Sequence, residues 1–153
     1  MKKEKMIKSG AAIGGALALL VLSGLFAASP ALARGGGSTK LLSTGVEPGA
    51  SGQARMTDVS VEHYYPYPGS GFWITGTMTV TCRGLTPGQT YSISTVDPYS
   101  SGEGSAGGGG AVAQARGELK TAFAVFLYNS NQVYICVVNQ AGQIVLEGWL
   151  LVP

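Results

Sequence analysis

From Phe72 to Cys82 the chain reads FWITGTMTVTC, with Phe72, Ile74, Met78, Val80 and Cys82 on one parity and Thr75, Thr77, Thr79 and Thr81 on the other. A period of two marks a strand with one buried face and one wet face. The same pattern predicts strands over 89–96, where Tyr91 and Ile93 alternate with serines, and over 118–128, where Leu119, Phe123, Val125 and Leu127 share a side. Residues 132–139 (QVYICVVN) are apolar on both parities, as in a strand central to its sheet. Asn139-Gln140-Ala141-Gly142 is a hairpin signal, and 143–152 then returns with Ile144, Leu146, Leu150 and Val152 inward. Arg55 to Tyr64 supplies a first strand. No window beyond residue 54 carries a 3.6-residue apolar period. Six clear strands, with a seventh in the less regular 97–117, predict an all-β antiparallel sandwich of about seven strands.

The ends of the chain read differently. Lys2, Lys3, Lys5 and Lys8 form a basic start, Ala11 to Ala28 is an uncharged and mostly apolar run, and Ser29-Pro30-Ala31-Leu32-Ala33 has the A-x-A form that signal peptidase accepts. Residues 1–33 are therefore expected to be a signal peptide cut after Ala33, and the protein to be secreted or held in the cell envelope. A retained anchor is the alternative, since about 18 residues can just span a bilayer. Residues 34–54 are rich in Gly and Ser and read as a flexible linker, which leaves 55–153 as the folded domain. Charge changes with the cut. The full chain is +2, but residues 34–153 hold six basic and seven acidic side chains, a net of −1. That gives no basic stripe for phosphate neutralisation, so nucleic acid is not an expected partner, and no second long apolar segment predicts membrane insertion after cleavage.

The mature chain has two cysteines, Cys82 and Cys136. An even count in an exported chain favours a disulfide. Both residues are expected on inward strand faces, where a bridge between sheets would stabilise the fold by roughly 4 kcal/mol in the chain-entropy view. Tyr134-Ile135-Cys136 resembles the Tyr-x-Cys of strand F in immunoglobulin domains, and Cys82, ending its threonine-alternating strand, resembles their strand B cysteine. The resemblance implies an immunoglobulin-like sandwich, an inter-sheet Cys82–Cys136 bridge and a tyrosine-corner role for Tyr134. Leu85-Thr86-Pro87-Gly88-Gln89-Thr90-Tyr91 is similar to the Leu-x-Pro-x-x-x-Tyr of fibronectin type III domains, here placed between the second and third strands of the sandwich. Exported bacterial immunoglobulin-like domains, including the neocarzinostatin-like chromophore carriers, resemble it in this use.

Chemistry is sparse. One histidine, His63, excludes a His-rich metal site, and no His or Met ligands follow Cys136 as a copper site would need. Asp58 and Asp97 could orient a base, but no GxSxG elbow is present, so catalytic residues, cofactors and metals are all expected to be none. The candidate binding surface is aromatic: Tyr64, Tyr65 and Tyr67 in HYYPYPGSGFW, with Trp73 and Trp149 on outward parities. Flat apolar rings with a polar edge suit sugars or a protein partner, so the expected partners are a glycan or a cell-surface protein. The threonine row reads as an ordinary solvent-facing strand surface.

Gly102-x-Gly104-x-x-Gly107 has the spacing of a dinucleotide fingerprint. It lacks the preceding buried strand, the following helix and the downstream acid that the fingerprint needs. The glycines read instead as a mobile loop. The expected function is an exported, non-catalytic binding or structural module acting through exposed aromatics. The alternative is a small-ligand carrier with a cleft rimmed by 97–117.

Overall fold

A computed structural model of the 153-residue chain describes residues 36–64, 71–98 and 105–153. The expected signal peptide, Tyr65, Tyr67 and the glycines at 102 and 104 lie outside the described residues. The described residues form eight strands, β1 (Ser38–Ser43), β2 (Ser51–Tyr64), β3 (Gly71–Arg83), β4 (Thr90–Val96), β5 (Ser105–Val112), β6 (Leu119–Tyr128), β7 (Gln132–Val138) and β8 (Ile144–Leu151). All pairings are antiparallel, in the order β5-β4-β7-β8-β1-β2-β3-β6. The two end strands, β5 and β6, lie against each other without a hydrogen-bonded ladder, so the sheet is nearly closed around one core.

The parity expected of β3 and β6 places their buried side chains correctly. Ile74, Met78, Val80 and Cys82 point inward from β3, and Leu119, Val125 and Leu127 from β6. Strand β2 needs a correction to its phase. Ala54 and Met56 face the core on even positions, but Val59 and Val61 do so on odd ones. A bulge between Thr57 and Ser60, with Asp58 at a φ of 54°, inserts the residue that shifts the parity. A second bulge in β8 lets Val145 and Leu146 both be buried.

Two expectations about flexible segments are overturned. Residues 38–43 and 51–54, expected within the linker, are β1 and the start of β2, and Leu41 and Ala54 are fully buried. Strand β1 pairs with β2 through Ser38–Leu41 and with β8 through Leu42–Ser43, so it joins the two halves of the sheet. Its sequence carries a single inward apolar residue, too little for a period to show. The glycine stretch from 105 onward is strand β5, not a loop. Its glycines serve the closure. A Cβ on Gly107, whose φ is +151°, would lie 2.3 Å from the Ala124 carbonyl oxygen of β6, and one on Gly109 would meet the Phe123 ring at 3.0 Å. Absent side chains let the backbone of β5 approach β6 where a ladder does not hold them.

The ends of the core are tied by polar contacts. Tyr91, fully buried, donates its hydroxyl proton to Glu47 (2.8 Å to Oε1), and that hydroxyl accepts the Thr86 N–H at 3.0 Å. The Leu85-to-Tyr91 segment thus crosses from β3 to β4 with its tyrosine bonded back to backbone five residues upstream. Tyr91, rather than Tyr134, makes the contact that a tyrosine corner makes. At the other end Asp97 Oδ2 accepts the Tyr128 N–H at 3.1 Å, which fixes the end of β6 to the end of β4 beside the seam.

The seam yields a contrast between neighbouring glycines. Gly107→Ala is expected to lower unfolding free energy by about 1–3 kcal/mol through backbone collision and strain. Gly110→Ala, where a Cβ would sit 3.5 Å from the Tyr91 carbonyl oxygen, an ordinary contact, should stay within about 1 kcal/mol of the parent. Urea unfolding of both variants, followed by near-ultraviolet circular dichroism, makes the comparison.

Candidate functional site

The two halves of the sheet turn opposite outer faces to solvent, and each carries one of the predicted tryptophans. Trp73 on β3 pairs with Glu62 of β2 and Tyr128 of β6, and its Nε1–H donates to Glu62 Oε2 at 2.9 Å. Phe126 and Tyr128 lie 5.8 and 6.4 Å from it, ring to ring, and both are well exposed. Trp149 on β8 pairs with Tyr134 of β7 on the other half, their rings 5.1 Å apart. The predicted aromatic residues are therefore not one surface. Tyr64 ends β2, beyond the Glu62–Trp73 row, while Trp73 and Trp149 belong to faces that point apart. Phe126 and Tyr128 were absent from the expected surface, although the alternation in LKTAFAVFLY puts them opposite Phe123, Val125 and Leu127.

The Trp149 face is the more apolar. Strict pairing places Val96, Tyr134 and Trp149 in one row and Ser94, Cys136, Glu147 and Leu42 in the next. Val112 lies beyond Thr90, Ile144 beside Val138, and Leu151 beside Gln132 on the same side. Leu42, Val112, Trp149 and Leu151 are each more than half exposed, and Val96 and Ile144 are also exposed. Glu147 is the charged group in these rows. Its carboxylate accepts the Tyr134 hydroxyl proton, and this bond, with burial and the carboxylate charge added, pushes the Tyr134 hydroxyl up to about 12.

The cysteines do not bridge. Both are free thiols and they occupy opposite parities relative to the core. Cys82 points inward at the end of β3, where burial pushes its thiol up to about 12. In β7 the inward residues are Val133, Ile135 and Val137, so Cys136 faces out, its Sγ 3.8 Å from the Ser94 carbonyl. The expectation of two inward cysteines failed because QVYICVV is apolar on both faces, and a shift of one residue reverses the side.

Asp97 binds the Tyr128 amide, Asp58 sits at the bulge, and the His63 ring lies 6.3 Å from that of Phe72. Among the described residues, no group of three or more His, Cys, Asp or Glu could hold a metal ion. No family model, curated protein or solved structure matches the chain.

Two measurements follow from these geometries. In denaturant without reductant, a thiol reagent should find two reactive cysteines per chain, and in the native protein Cys82 should stay unmodified; no thiols in denaturant would mean that the bridge forms. The raised Tyr134 hydroxyl means that the folded state keeps a proton which the unfolded chain releases near pH 10. Stability should accordingly fall as pH rises from about 10 through about 12. Glu147→Gln should bring the Tyr134 titration closer to pH 10, read by phenolate absorbance, and flatten that part of the melting-temperature profile.

Proposed function

We propose that this chain is an exported, non-catalytic immunoglobulin-like module that docks a cell-surface protein through the outer face of β4, β7, β8 and β1. Strand adjacency supports the architectural part. In an immunoglobulin sandwich strands B and E are neighbours in one sheet, and strand C lies beside F and F beside G in the other. Reading β3, β4, β6, β7 and β8 as B, C, E, F and G reproduces those neighbours, with β2 as A beside B and β5 as C′ beside C. The sulfur chemistry of antibody domains is not part of the reading, since Cys136 faces out.

The observation that carries the docking role is the collection of Leu42, Val96, Val112, Ile144, Trp149 and Leu151 on one outer face around Tyr134. Contiguous exposed apolar surface of this kind marks interaction sites, and a tryptophan packed on a tyrosine at its centre is the side-chain type that dominates binding energy. The carrier alternative rested on a glycine rim over a cleft. Residues 105–112 of that rim are strand, packed on β6.

A photo-crosslinking residue placed at 92, beside Val138 on this face with Trp149 left intact, and in a second strain at 120 on the other face, tests the role in the parent cells. One discrete adduct to another protein from position 92, lost when Leu42→Ser is added and with no protein adduct from position 120, is the expected result. Adducts only to a second copy, or equal labelling from both positions, would overturn it.

A further inference from the structure

The opposite outer face, made by β2, β3 and β6, has a different chemistry that the Trp149 face does not explain. Its rows run Glu62–Trp73–Tyr128, Ser60–Thr75–Phe126, Thr57–Thr77–Ala124, Arg55–Thr79–Ala122 and Gln53–Thr81–Lys120, with Ser51–Arg83 last. Side chains are large and aromatic at one end and small or hydroxylated through the middle. At the other end three of the five described basic residues, Arg55, Arg83 and Lys120, stand within three successive rows. Ten residues separate Trp73 from Arg83, about 34 Å of strand.

Two hollows open at the basic end and share Thr81 and Arg83. One, of about 240 Å³, also takes Gln114, Glu118 and Lys120 into its lining. The other, of about 250 Å³, is completed by Ser51, Gly52 and Gln53. Arg83 and Lys120 line the first hollow together, with Glu118 as the acidic side chain in the same lining. A guanidinium and an ammonium beside threonine and glutamine side chains match a carboxylate or sulfate carried on a hydroxylated ring. At the distant end the exposed Phe126 and Tyr128 rings, packed beside Trp73, offer apolar faces to the C–H side of such a ring.

We infer that this face binds an extended anionic polysaccharide, with Arg83 and Lys120 taking an acidic group, the threonine row forming a hydroxylated floor, and Phe126 and Tyr128 stacking on a sugar further along the chain. The site is independent of the Trp149 face and would serve a second ligand. Glu118, at the rim of the first hollow, faces the same ligand and opposes its charge. Removing that charge therefore has a predictable sign.

Calorimetric titration of the purified full chain with an oligogalacturonate of about ten residues, with a sulfated oligosaccharide, with a neutral glucan of equal length and with a single-stranded oligonucleotide of equal charge tests the inference. Binding of at least one acidic oligosaccharide is expected, weaker at high salt and at least tenfold tighter than the neutral glucan or the oligonucleotide. The Arg83→Gln, Lys120→Gln double variant should lose tenfold or more for the acidic sugar, Phe126→Ala should lose several-fold, and Glu118→Gln should gain. Trp149→Ala should leave the affinity unchanged, which separates this site from the docking face. Circular dichroism and melting temperature of each variant report folding, and Arg83→Lys should restore part of the affinity if charge is what matters. The inference is overturned if neither acidic oligosaccharide binds at millimolar concentration, if the folded double variant binds as the parent does, or if the oligonucleotide binds equally well.

Discussion

Each strand has two faces and the single core can accept only one, so the parity of every strand decides both what is buried and what is displayed. The core depends on that phase being kept around a nearly closed sheet. Met56 meets Met78 and Val61 meets Ile74 across the β2–β3 pair only because the extra residue at the bulge near Asp58 corrects a strand that would otherwise drift out of phase. The buried Val145 does the same for β8. Without those insertions the second half of each strand would turn its apolar residues to water. Both outer faces would then lose their character together.

Closure imposes the second demand. Eight strands bring β5 back against β6, but no ladder joins them, so the seam relies on close backbone approach and on the Asp97–Tyr128 bond beside it. Glycine suits a strand that must sit near another backbone and still pair fully with β4 on its far side. A run of four glycines is a poor strand former by propensity, and tertiary contact overrides that preference here.

Much of this fold was legible because threonine and aliphatic residues alternate cleanly in β3, β6 and the second half of the chain. The β7–β8 hairpin was legible for a more local reason: Gly142, with φ of 76°, closes the turn by donating its N–H to the Asn139 carbonyl, as Asn139…Gly142 implied. What escaped reading lacked a hydrophobic signal or carried one on both sides. Strand β1 shows a single buried Leu41, β5 has almost no side chains, and β7 hides its phase because Ile135, Cys136 and Val137 are all apolar. The candidate surface was legible in the parities of its tryptophans but not in its grouping. Trp73 and Trp149 are outward as their parities imply, yet pairing partners that only topology supplies, Phe126 and Tyr128 for one and Tyr134 for the other, divide them between two faces.

Strand β1 closes two strand edges at once. Its first four paired residues cover the free edge of β2, and its last two cover that of β8. Peeling this six-residue ribbon away would bare two strand edges at once, on adjoining halves of the sheet. Each would then present unpaired amides and carbonyls to any passing chain. The Leu41 side chain, buried at the junction, pins the shortest of the described strands in place and so keeps both edges covered.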